Sequence, residues 1–253
     1  MAYLINIVPS LVHPPRSVRM SAAQDPGSLL TSSHSSSLNF DAHPPHNRRK
    51  LPVLLFDIMD TVVRDPFYQD VPLFFRMTFD ELIETKHPSS WIDFEMGIID
   101  EKELAAHFFK DGREIDLEGL KNCMKNGYSF TDGIEDLLLS LKQNGYEMHA
   151  LTNYPIWYKM VEEKLAISSY FPWTFCSCVV GMRKPDPGFY LEALKHLKLT
   201  AKDCVFVDDS FMLRFRLKNV EAANQLGIAG LQFKASKQLR EDLLRLGVRL
   251  SLD

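Results

Sequence analysis

The sequence predicts an α/β fold: a doubly wound, Rossmann-like parallel sheet with a helical cap inserted after its first strand. Three observations predict it. Short apolar runs alternate with stretches of helical periodicity from Pro52 onward, several of those runs end on an acid or a hydroxyl, and one long segment, 64–131, breaks the alternation. Near-continuous apolar runs suit strands covered on both faces, and strand–helix alternation is the pattern of a sheet wound by crossover helices.

The first run, VLLF (53–56), ends on Asp57. The segment 64–131 follows. It is rich in aromatics and carries helical spacing in PLFFRMTFDELIETK, EKELAAHFFK and DLEGLKNCMKNG, so it reads as a helical cap. The core then resumes with the helical stretch 134–145. MHALT (148–152) is the second strand, ending on Thr152-Asn153, and FCSCVV (175–180) is the third, followed by Gly181-Met182-Arg183-Lys184-Pro185-Asp186-Pro187. A helical stretch over 188–199 leads to CVFV (204–207), which ends on Asp208-Asp209, and a last one over 220–227 leads to GLQF (230–233). Two of these stretches close on a glycine, as helix C-termini often do. The expected organisation is a tail over 1–50, a core made of 51–63 and 132–253, and a cap over 64–131.

The tail differs in composition from the rest. Its fifty residues hold nine serines, four of the eight histidines and five basic residues against only Asp25 and Asp41. A Ser-rich, basic, acid-poor N-terminus without an apolar h-region is the composition of an organelle transit peptide. From Leu51 onward 24 basic residues face 31 acidic ones, a net charge of −7 against −4 for the whole chain. That balance gives no reason to expect a nucleic-acid partner. No apolar run approaches the length of a membrane span. Four cysteines are too few for a disulfide scaffold, and Cys176-Ser-Cys178 lacks the spacing of a zinc knuckle, so free thiols are expected.

In open α/β sheets ligands bind beyond the carboxyl ends of the strands. The chain places Asp57, Thr152, Asn153, Asp208 and Asp209 there, with Lys184 after the third strand. Clustered acids need a cation, hard oxygen donors favour Mg²⁺, and a lysine and a hydroxyl suit anionic oxygens. The set is that of phosphoryl transfer, with an aspartate available as nucleophile.

From about Pro52 the chain resembles the haloacid dehalogenase superfamily of hydrolases. LLFDIMDTV, HALTN (149–153), RKPDP (183–187) and VFVDDS (205–210) are similar to its four motifs in order, and FEMGIIDEKEL (94–104) to a segment of its caps. The resemblance implies Asp57 as nucleophile, Thr152 and Asn153 as phosphate ligands, Lys184 steadying nucleophile and phosphate, and Mg²⁺ held by Asp57, Asp208, Asp209 and the Met59 carbonyl. DIMDTVVRDPFYQDVP (57–72), HALTNYPIWY (149–158) and TFCSCVVGMRKPDPGFYLE (174–192) resemble a plant chloroplast branch of that family that hydrolyses flavin mononucleotide (FMN). The branch implies FMN as the phosphate ester, riboflavin as product and the chloroplast stroma as location. A sugar phosphate, or a non-catalytic binding role on the same fold, are the alternatives. A dehalogenase is disfavoured by the paired acids Asp208-Asp209.

Two departures stand out. Most family phosphatases have an acid two residues after the nucleophile, where this chain has Met59. Methionine moves no protons, and general acid–base help is typically worth about 10²–10⁴-fold. Asp60 is the nearest substitute, as proton donor or merely as a brace of the loop. The stretch FMLRFRLK (211–218) also lengthens the loop after Ser210, and reads either as a lid over the substrate or as a splice-site addition. In the cap, Phe67, Tyr68, Phe74, Phe75, Trp91 and Phe94, with Tyr154, Trp157 and Tyr158 after the second motif, are candidates for stacking on a flavin or for cap packing.

Overall fold

The computed structural model describes residues 49–209 and 217–250. Residues 1–48 of the transit-like tail and 211–216 of the added stretch lie outside the described residues. Five parallel strands form one sheet in the order β3-β2-β1-β4-β5, with β1 Val53–Phe56, β2 Met148–Thr152, β3 Phe175–Cys176, β4 Cys204–Asp209 and β5 Ala229–Phe233. β1 is central, pairing Leu54 with Met148 on one side and with Val205 on the other. The doubly wound reading therefore holds.

Between β1 and the next core helix lie five helices: α1 Asp70–Phe75, α2 Phe79–Thr85, α3 Ser90–Glu95, α4 Glu101–Ala106 and α5 Leu117–Gly127. The core continues with α6 Ile134–Gln143, α7 Tyr158–Leu165, α8 Ser177–Val180, α9 Pro187–Leu197, α10 Leu217–Gln225 and α11 Ser236–Arg245. Successive strand residues face opposite ways. Leu54 and Phe56 pack with Leu137 and Leu141 of α6, Val161 of α7 and Leu239 of α11. Val53 and Leu55 pack on the other face with Phe189 and Ala193 of α9 and Ala223 of α10. Every residue of β1 is buried, as its uninterrupted apolar run requires.

The helical stretch 72–86 divides in two. Arg76 takes a left-handed conformation (φ 55°) and ends α1, its N–H returning to Leu73 O at 3.0 Å. Thr78 then opens α2 with a reciprocal cap to Glu81. Asp100 and Glu103 open α4 in the same way.

The expected strand over 175–180 is corrected. Pairing stops at Cys176, opposite Thr152, and 177–180 forms the single turn α8, closed by Gly181 (φ 71°). β3 is an edge strand with a neighbour on one side only. The Ser177 hydroxyl accepts from Tyr154 N at 3.0 Å and donates to Glu95 O at 2.5 Å, which draws the chain out of the sheet towards the insertion. All four cysteines are free; Cys176 Sγ and Cys178 Sγ lie 3.6 Å apart.

The insertion leaves and rejoins the core side by side. Val63 bridges Phe130, Arg64 N donates to Ser129 O at 2.8 Å, and Thr131 N donates to Val62 O at 3.0 Å.

Candidate active site

Each strand end delivers the residue that its sequence position predicts. Asp57 continues the ladder of β1, its N–H donating to Val207 O at 2.8 Å, and its Oδ1 accepts the Ile58 N–H at 2.8 Å. Asp208 and Asp209 are the last residues of β4 and pair with Gln232 and Phe233 of β5. Carboxylate oxygens of Asp57, Asp208 and Asp209 lie within 4.8 Å of one another, and all three residues are buried.

Lys184 enters this group from the loop after α8. Its Nζ lies 2.9 Å from Asp57 Oδ1 and 2.6 Å from Asp208 Oδ2, with 1% of the side chain exposed. Burial alone would lower the ammonium's pKa, but the charges of Asp208 and Asp57 outweigh it, so the pKa is raised and the lysine stays charged. The loop is held by Asn153, whose side chain bonds the Lys184 backbone at both its N–H and its carbonyl. Asn219, at the start of α10, adds long contacts from Nδ2 to both Asp208 oxygens, 3.4 and 3.3 Å.

Three buried carboxylates against one ammonium leave the group short of positive charge. The Asp208 carboxyl is pushed up to about 7: burial raises it most, Lys184 pulls it down, and the charges of Asp57 and Asp209 add to the rise. A divalent cation would supply the missing charge, and an all-oxygen donor set suits Mg²⁺. Beside the acids, the buried Thr152 hydroxyl at the end of β2 has no hydrogen-bond partner among the described residues. A buried hydroxyl without a partner costs about 1–3 kcal/mol, which an anionic oxygen seated there would recover. The donor set and the orphaned hydroxyl together fit a magnesium-bound phosphate.

Above the acids lies a cavity of about 450 Å³ between strand ends and insertion, within the size range of small-molecule sites. Asp57, Met59, Asn153 and Lys184 line its floor. Phe67, Tyr68, Phe79 and Trp91 line the opposite wall as a continuous aromatic group, with ring centroids 5.5–6.2 Å apart. Lys86 shares that wall; burial lowers its pKa, Glu95 opposes the shift, and Lys110 adds to it. Glu95 and Arg183 close one side with an ion pair of 3.0 Å, and Trp91 Nε1 donates to Glu95 at 2.7 Å.

Of the aromatic candidates, Phe67, Tyr68, Trp91 and Tyr154 reach the cavity. Phe75 packs on Phe108 and Phe109, Phe74 on Phe75, Phe94 on Trp157, and Tyr158 on Trp173. Met59 packs into the apolar core and borders the cavity. Asp60 does not join Asp57 there. It sits at a left-handed turn (φ 59°), its Oδ1 accepts from Asp65 N at 2.9 Å, and it lines a separate cavity of about 330 Å³ with Asp209 and Phe233. Sequence reasoning missed Asp65, Phe79, Lys86, Glu95 and Arg183. Only Asp65 had a local signal, an acid before Pro66 that caps a short helix over Pro66–Tyr68.

Fold and site together define a hydrolase of the haloacid dehalogenase type. The model for haloacid dehalogenase-like hydrolases matches residues 53–212, and the chain belongs to this family. It is 55% identical over 205 residues, 81% of each chain, to flavin mononucleotide hydrolase 1 of Arabidopsis thaliana, a chloroplastic protein. It is 30% identical over 157 residues to a sesquiterpene phosphatase of Aspergillus oryzae, covering 58% of this chain and 74% of that one. The same fold occurs in a family enzyme of Bacteroides thetaiotaomicron crystallised with magnesium, at a TM-score of 0.60 and 22% identity over 75% of this chain and 98% of the other. A crystal form of that enzyme with magnesium and inorganic phosphate gives a TM-score of 0.58 at 20% identity, covering 74% and 96%.

Proposed function

We propose that this protein is a Mg²⁺-dependent phosphatase that converts FMN to riboflavin and phosphate through an aspartyl-phosphate on Asp57. The observation that carries the reading is the buried group of Asp57, Asp208, Asp209 and Lys184, of which Asp57 and Lys184 open onto an aromatic-walled cavity, together with the unpartnered Thr152 hydroxyl at the end of β2. The 55% identity to the Arabidopsis enzyme supports the choice of FMN.

The Asp57 carboxylate attacks phosphorus in line, and the ester oxygen leaves on the cavity side. Lys184 neutralises developing charge while its contact with Asp57 aims the nucleophile. The Thr152 hydroxyl and the Asn153 backbone amide donate to the non-bridging oxygens. Asp57, Asp208 and Asp209, with the Met59 carbonyl, would hold Mg²⁺, which when bound supplies positive charge to the phosphoryl oxygens. Charge fixed in place before the reaction is usually the largest single contribution to such catalysis. On the opposite wall the aromatic group covers the isoalloxazine, and Lys86 donates to the carbonyls of its pyrimidine edge. The transit-like tail and the chloroplastic relative support import into the chloroplast stroma. Among the described residues no helix is long and apolar enough to cross a membrane.

The test is phosphate release from FMN with and without Mg²⁺, beside Asp57→Asn. Mg²⁺-dependent release that vanishes in the variant is the expected result. Release from sugar phosphates but not from FMN would move the substrate, and silence on all of them would favour a binding role.

A further inference from the structure

With Met59 two places after the nucleophile, the chemistry proposed above still needs a group that protonates the departing ribityl oxygen and then activates water. An alkoxide is a strong base, and general acid–base help is worth about 10²–10⁴-fold. Besides Asp57, two carboxylates line the cavity among the described residues, Asp65 and Glu95. Glu95 is committed to Arg183 at 3.0 Å and Trp91 at 2.7 Å. Asp60 faces the other cavity with Asp209. Tyr154 and Tyr128 share a bond of 2.7 Å between their hydroxyls, and burial pushes both far up. Lys184 is held between Asp57 and Asp208.

We propose that Asp65 is the general acid and base of this site, an assignment that rests on the phosphatase reading. The loop is built to bring it there. The left-handed turn at Asp60 reverses the chain, and Asp60 Oδ1 pins the Asp65 N–H at 2.9 Å. Asp65 Oδ1 in turn accepts the Phe67 N–H at 2.9 Å, which orients the carboxyl group beside the aromatic wall. In the first half-reaction an Asp57 oxygen bonds to phosphorus as the bond to the ribityl oxygen breaks. The proton of the Asp65 carboxyl passes to that oxygen, leaving Asp65 as carboxylate. In the second, water oxygen bonds to phosphorus as the bond to Asp57 breaks. Asp65 takes a proton from that water and is restored.

Asp65→Asn keeps an oxygen to cap Phe67 N, and Asn and Asp are comparable N-caps, so the fold should survive; circular dichroism checks this. FMN should turn over about 10²-fold or more slowly. p-Nitrophenyl phosphate, whose leaving group needs no proton, should instead give a rapid burst of one nitrophenol per site followed by slow turnover. FMN turnover within about threefold of the wild type would overturn the proposal. So would the absence of that burst, or its appearance in Asp60→Asn instead. Wild-type protein inactive on both esters would remove the phosphatase reading itself, and this assignment with it.

Discussion

Asn153 and Lys184 hold each other through two opposed hydrogen bonds: Asn153 Nδ2 donates to Lys184 O at 2.9 Å, and Lys184 N donates to Asn153 Oδ1 at 2.8 Å. The pair joins the loop after β2 to the loop after α8, and so fixes the height at which the ammonium meets Asp57 and Asp208. Asn153→Ala removes both bonds and strands a backbone N–H. The expected cost is about 1–3 kcal/mol. Melting should fall by about 2–4 °C per kcal/mol in a chain of this size. FMN turnover should fall by up to about 10²-fold, because a small displacement of a positioning cation is enough. Calorimetry and steady-state kinetics on the same preparation check both.

Magnesium should stabilise the protein in the absence of any substrate. A ligand that binds only the folded state adds about 2.7 kcal/mol at one hundred times its dissociation constant. Asp209→Asn should abolish the Mg²⁺-dependent rise in melting temperature. A rise that persists unchanged would place the ion elsewhere.

The metal-free protein should lose stability as pH rises. Burial raises the Asp208 carboxyl from its ordinary 3.8 to about 7. Between those values the folded state binds more protons than the unfolded one, so the stability contributed is complete below the ordinary value and is lost as pH passes through about 7. Urea unfolding in chelator at pH 5 and pH 8 should show the decline. Saturating Mg²⁺ should flatten it, since the cation replaces the proton.

Lys86 should separate flavin recognition from chemistry. Lys86→Met keeps the length and apolar stem but removes the donor. A hydrogen bond from a charged group contributes about 1.5–3 kcal/mol, so KM for FMN should rise roughly 10- to 100-fold. p-Nitrophenyl phosphate, too short to reach α2, should be hydrolysed as before. Equal losses on both esters would show that Lys86 serves the fold and not the ring.

The acids and the hydroxyl of the rim were legible because each stands at or just beyond a strand end, and strand ends converge whatever the intervening chain does. Asp57, Thr152, Asp208 and Asp209 needed only the apolar runs before them to be placed at the strand ends where the structure has them. The opposite wall was not legible. Phe79 opens α2 and Lys86 follows its end, so their facing depends on how the insertion packs, and Glu95 meets Arg183 across 88 positions of chain. Spacing says nothing about such a pair. β3 was overextended for a related reason: CVV has strand composition, but an edge strand persists only as far as its one neighbour pairs with it.

The stem of the insertion has a further meaning. Because Val63 and Phe130 lie side by side, the core experiences the whole excursion between them as a tight turn. Exchanging the excursion for a shorter or longer one would leave β1, Asp57 and the ladder on either side where they are. On the proposed function, selectivity is thus carried on a cassette, replaceable at one junction, while the reaction stays with the sheet.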